Sequence, residues 1–183
     1  LKTIYFIYSS TNNNKTNIKE MMRKTSERLL NTRNYSGCSI FLLTDKGLQN
    51  VAQKGNCLID TDKCERTQNM SQVPEFFQEV IDTGTLKIYI NPEMWSCKAE
   101  QKSDLYLAIF PMRNNQKVTG FLNICYETND GVDKREKNLV QEVADDLAFA
   151  RGKVQAEAAL QESEKLYRLL AENANDFILL HDL

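Results

Sequence analysis

The chain has 183 residues, of which 42% are apolar and 26% charged, with a formal net charge of −2. That length holds one domain of ordinary size plus a remainder, and the apolar fraction supports a buried core, which excludes a disordered tail. The weak, scattered charge excludes a surface that gathers nucleic acid or anionic lipid, and no window approaches the roughly 18 continuous apolar residues that span a bilayer.

In chain order, Leu1, Ile4, Tyr5 and Tyr8 recur at helical spacing until the turn-favouring run from Ser9 to Asn14. A second helix follows, with Asn17 and Glu20 spaced for a capping box and a stripe of Ile18, Met21, Met22, Thr25 and Leu29 that ends near Arg33. Cys38 to Leu43 and Leu48 to Gln53 read as a hairpin turning at Asp45, Lys46 and Gly47. After a polar stretch from Asn56 to Ser71, Pro74 to Ile81 predicts a short helix stopped by Gly84, and Leu86 to Ile90 a strand.

Asn91 to Asp104 is irregular and carries Trp95 and Cys97. Leu105 to Met112 and Val118 to Tyr126 are the strongest strands, joined through Asn114 and Asn115, which tolerate the positive φ of a tight turn; the first is apolar on both faces and should lie centrally. From Asp133 the period is helical, with a seam at Leu139, Val143, Leu147, Ala150 and Val154. Alanine, glutamate and glutamine continue the helix to Glu164. A separate short helix from Ser163 to Asn173 then leads to the apolar run Phe177 to Leu180.

This order of elements resembles the GAF domain over roughly Leu1 to Arg151. Ala108-Ile109-Phe110-Pro111-Met112 and Val118-Thr119-Gly120-Phe121-Leu122 look like that family's late hairpin, and Glu136 to Phe149 looks like its closing helix. The resemblance implies an α+β fold, with a central antiparallel sheet of about five to six strands, terminal helices on one face, and loops and short helices on the other. The segment from Ser163 to Ile178 (SEKLYRLLAENANDFI) resembles the entry to a PAS domain. The division expected is a GAF domain over 1–151, a helical linker over 152–166 and the start of a PAS domain over 167–183. GAF followed by PAS is similar to the sensory half of histidine kinases, which implies a cytoplasmic signalling protein.

For chemistry, the single histidine, His181, leaves no base for a nucleophile, so hydrolase and transferase readings are disfavoured. The adjacent Asp145 and Asp146 read as a solvated helix face. Five widely spaced cysteines, odd in number, fit reduced thiols; Cys57 and Cys64 lack metal-clip or redox-motif spacing. From the resemblance, Cys57, Cys64 and Cys97 leave a free methionine sulfoxide reductase as a rival. Lys98 after Cys97 and Glu65 after Cys64 do not fit bilin attachment, and the asparagine-lysine signature of cyclic-nucleotide binders is missing. Haem with Cys97 as ligand stays open.

The resemblance further implies a ligand on the sheet face opposite the terminal helices, with Phe76, Phe77, Trp95, Cys97, Tyr106, Phe110 and Cys125 as candidate lining; ordinary core packing would also explain each aromatic. The expected function is a sensory module that binds a small molecule and relays the signal through its C-terminal helix, the fragment itself not an enzyme. A ligand-free spacer is the alternative. The seam from Leu139 to Val154 implies a homodimer through terminal helices, unless the same residues cover the sheet.

Overall fold

Two-residue alternation along the strands and helical stripes along the flanking segments dictate three layers, and the computed structural model has them. It describes residues 14–33, 35–55, 73–90, 105–127 and 133–179, with side chains from 18 to 173. The element expected over Leu1 to Tyr8 lies outside these residues.

Helix α1 (Asn14–Thr32) buries Met21, Met22 and Thr25 of the expected stripe, with Ile18 and Leu29 partly buried beside them, and also buries Ser26, which the stripe does not include. The two buried hydroxyls back-bond within the helix, Thr25 to the Met21 carbonyl at 2.9 Å and Ser26 to that of Arg23 at 2.8 Å, so neither costs an unmet donor. The helix already begins at Asn14, so Asn17 stands inside it and not at the cap expected.

Strands β1 (Gly37–Thr44) and β2 (Gly47–Gly55) form the first hairpin, with Thr44 paired to Gly47. Gly47 closes the turn at φ 98°, open to glycine at little cost, and the register shift of this pair lies farther along, between Ile40 and Phe41. Helix α2 (Glu75–Thr83) stops at Gly84 in the left-handed conformation (φ 61°), whose N–H donates to the Val80 carbonyl at 2.9 Å. Strand β3 (Lys87–Ile90) follows, then β4 (Tyr106–Asn114) and β5 (Lys117–Tyr126). The turn between the last two is Asn115-Gln116, at φ 49° and 66°, one residue beyond the expected Asn114-Asn115 because Asn114 pairs with Lys117.

The sheet runs β2-β1-β5-β4-β3 with antiparallel neighbours throughout. The middle strand is β5. Strand β4 is an inner strand paired on both sides and covered on both faces, as its apolar run demands.

Helix α3 (Lys134–Leu179) has 46 residues, about 69 Å at 1.5 Å per residue. Asp133 caps it, its carboxylate accepting the Glu136 N–H at 2.7 Å. Val140, Ala144, Leu147, Ala148 and Ala150 are buried against the sheet, the alanines allowing close approach. At Gly152 an added Cβ would run into the Asn114 side chain, so the hairpin tip touches the helix where no side chain intervenes. Residues 158 to 173 are all exposed. The helix passes Ser163 without a break and continues to Leu179, so the separate short helix expected from Ser163 is not formed, and the run expected from Phe177 is helical as far as Leu179. No proline or glycine stands between Lys153 and Leu179 to interrupt it.

Helices α1 and α3 share a core with Cys38, Ile40, Tyr106, Ala108, Phe110, Leu122 and Ile124 on one sheet face. On the other, α2 packs over Phe41, Leu107, Ile109, Phe121 and Cys125. The architecture is α+β with an open, five-stranded antiparallel sheet.

Candidate functional site

The face beneath α2 is built from every second residue of β1, β4 and β5. The ring of Phe77, projecting from α2, lies 4.4 Å from that of Phe121 and 5.5 Å from that of Phe41, and Phe76 continues the cluster at 4.5 Å from Phe77 and 6.1 Å from Tyr89. Offset and edge contacts of this kind add to the area buried. The Tyr89 hydroxyl donates to the Glu79 carboxylate at 2.6 Å and Lys87 pairs with the same carboxylate at 2.5 Å, fastening α2 to β3. Burial and that carboxylate push the Tyr89 phenol above its ordinary range.

The expected lining residues divide between the two sheet faces. Phe76, Phe77 and Cys125 belong to the α2 face. Tyr106 and Phe110 are on the opposite face, packed with α1 and α3, so they cannot share a site with the other three. The cause is strand periodicity: residues 106, 108 and 110 project to one side and 107 and 109 to the other. Tyr106 instead stacks on its cross-strand partner Tyr126, with centroids 5.3 Å apart and planes 9° apart. Trp95 and Cys97, and with them the haem expectation, lie outside the described residues, as do Cys57 and Cys64.

One feature of this face was not singled out from the sequence. Ser39 of β1 and Asn123 of β5 are paired in the sheet register, both 0% exposed, and the Asn123 amide donates to the Ser39 hydroxyl at 3.1 Å. Their neighbours Cys38, Ile40, Leu122 and Ile124 face α1 and α3, so alternation turns Ser39 and Asn123 toward the α2 face. The Asn123 Oδ1 atom is buried without a hydrogen-bond partner. The signal was legible: an asparagine stands alone in the run Phe121-Leu122-Asn123-Ile124-Cys125, where an inner strand wants apolar residues.

On the helical side, side chains fasten α3. Asp145, expected to be solvated, forms a forked pair with Arg113 at 3.1 and 2.6 Å and also accepts the Arg113 N–H. Gln141 donates to the Pro111 carbonyl at 2.8 Å. Arg151 donates to the carbonyls of Thr119 (2.6 Å) and Leu43 (2.9 Å), one from each hairpin, and desolvation lowers its pKa. An open cleft of about 780 Å³ near Arg33 and the first turns of α3 is lined mostly by charged side chains. Its groups already serve the fold: Glu136 accepts from Tyr35 at 2.7 Å and Asp133 caps α3. Among the described residues no cluster of histidine, cysteine and acidic side chains could hold a metal, and no helix is long and apolar enough to cross a membrane.

The chain matches no family model and no curated protein. Solved structures do resemble it. The GAF domain of a phosphoenolpyruvate-protein phosphotransferase from Coxiella burnetii superposes with a TM-score of 0.61 at 14% identity, over 86% of this chain and 94% of that one. A type II free methionine-R-sulfoxide reductase from Thermoplasma acidophilum gives 0.59 at 13%, over 78% and 96%. The GAF domain of A. Aeolicus nlh2 in an inactive state gives 0.55 at 12%, over 81% and 91%. At these identities the likeness establishes the GAF fold.

Proposed function

We propose that this chain is a sensory module of a signalling protein, which binds a small molecule on the α2 face of its sheet and relays occupancy through α3. The observation that carries the reading is the division of α3: one unbroken helix is fastened to the sheet as far as Arg151 and then runs on with every residue from 158 to 173 exposed. A rod held at one end by the sheet can carry a shift in that sheet over roughly 40 Å at 1.5 Å per residue. Ligand and relay are linked only if the ligand binds the two states with different free energies.

The exposed part of α3 also bears on assembly. Leu147 and Ala150, members of the seam expected to join two copies, are spent on the sheet. A second stripe, which shares only Leu139 with the expected seam, is free: Leu139, Leu160 and Tyr167 fall on one heptad position, and Phe149 and Leu170 on the position three residues later, all of them 43% to 72% exposed. That 3.5-residue repeat suits a second copy of the helix, with the segment that resembles a PAS entry continuing it in a longer histidine-kinase-like parent.

Native mass and absorption of the purified protein test the binding half. Added mass, or a Soret band in the case of haem, is expected; mass equal to the polypeptide after isolation under gentle conditions would favour a ligand-free spacer. Likeness to the reductase from Thermoplasma acidophilum, together with the buried Cys125 thiol on the α2 face, supports a second reading, reduction of free methionine sulfoxide. Turnover of that substrate with a thiol reductant would establish it.

A further inference from the structure

We infer that Asn123, held by Ser39, is the polar anchor for a neutral, largely aromatic small molecule that donates one hydrogen bond, from N–H or O–H, to the Asn123 Oδ1 atom. The inference rests on reading the α2 face as a ligand face, and it adds the anchoring residues and the chemical class of the ligand.

Strand β5 is paired on both sides, with β1 and β4, so the backbone groups around Asn123 are committed to the sheet ladders. One amide hydrogen goes to Ser39, and the carbonyl oxygen, fully buried, meets no donor. An amide so placed is expensive to keep in a core unless something completes it, and an apolar residue of similar size would pack the same strand without that cost. A ligand donor completes it.

The surroundings define the rest of the ligand. In the sheet, Asn123 is flanked on the same face by Ser39 and Ile109 on the neighbouring strands and by Phe121 and Cys125 along its own. None of these brings a formal charge, so an ionised ligand group next to the amide would be left without a counter-charge from them. Phe121 begins the aromatic cluster that continues through Phe77 to Phe41 and Phe76, a surface suited to a flat ring.

The test uses two probes of similar shape, indole, which has an N–H donor, and 1-benzothiophene, which has none. Each is titrated into the isotopically labelled chain while the amide and aromatic resonances of the α2 face are followed. The expected result is tighter binding of indole to the wild type, by about five- to tenfold for one hydrogen bond, with the preference lost in Asn123→Leu. Equal binding of the two probes to the wild type would overturn the anchor and leave the face as a ligand face. Resonances that move with neither probe would overturn the ligand face itself, and the anchor with it. The wild-type comparison stands even if Asn123→Leu does not fold.

Discussion

At the scale of single residues, the polar groups that the core admits are the informative ones. Thr25 and Ser26 are satisfied within their own helix, whereas Asn123 is satisfied on one side only. Tyr35 is a third case: its hydroxyl donates to Glu136 at 2.7 Å, joining the segment after α1 to the start of α3, and burial together with that carboxylate holds its phenol well above the ordinary value. The Tyr126 phenol is raised for the first of these reasons, burial. Below a pH of about 10 a tyrosine is protonated in both the folded and the unfolded chain and adds no pH dependence. Above it the unfolded chain releases the proton that the fold retains, so stability falls as pH rises. Tyr35→Phe should therefore cost about 1 kcal/mol at pH 8 for the lost hydrogen bond, yet lose less stability than the wild type between pH 8 and pH 11. Urea denaturation at both pH values reads both effects, and an unchanged alkaline loss would show that Tyr35 does not contribute to it.

At the scale of elements, α3 contains two kinds of helix in one. Its first part is amphipathic and is held through Val140, Ala144 and Leu147 and through the polar ties of Gln141, Asp145 and Arg151. The second part draws on propensity and length alone, which suffices for a helix but not for a fixed direction. Arg151 stands at the boundary and binds both hairpins to the helix as it leaves the sheet. Replacing it with methionine removes the guanidinium and strands two carbonyls. The expected cost is roughly 1–3 kcal/mol, with amide protons around Leu147 to Gly152 exchanging faster while those in the middle of β5 keep their protection. Uniform acceleration throughout the sheet would mean that Arg151 supports the whole fold and not the exit of the helix.

For the whole molecule, the proposed pairing of α3 with a second copy would rest on its exposed stripe. The exposed stripe is interrupted by Asp146 and Lys153 at one heptad position and by Glu142, Ala156 and Ser163 at the other, so its apolar area is modest. A weak dimer is expected, with a dissociation constant in the micromolar range, equivalent to about −8 kcal/mol. Leu160→Glu should abolish it, since the side chain is 61% exposed in the single chain and touches no part of the sheet core. Sedimentation of the wild type and the variant, with circular dichroism to confirm that both are folded, gives the answer. A variant that associates as the wild type does would remove this stripe from the interface.

The sequence by itself determined the type and order of the described elements up to the first part of α3, the hairpins and most of the amphipathic stripe of α1, because these follow from local periodicity and turn residues; it did not show that α3 runs on unbroken past Ser163. It also marked the GAF fold through the late hairpin and the closing helix. The assignment of aromatics to a common site could not be read in the same way: Tyr106 and Phe110 are as apolar as Phe77, and only strand register and the packing of α1 and α3 send them to the opposite face. Likewise the stripe from Leu139 to Val154 fits a dimer seam and a sheet-covering face equally well. Tertiary structure decided the part it could, because Leu147 and Ala150 are buried against the strands of their own chain while Leu139, at the start of the same stripe, stays exposed.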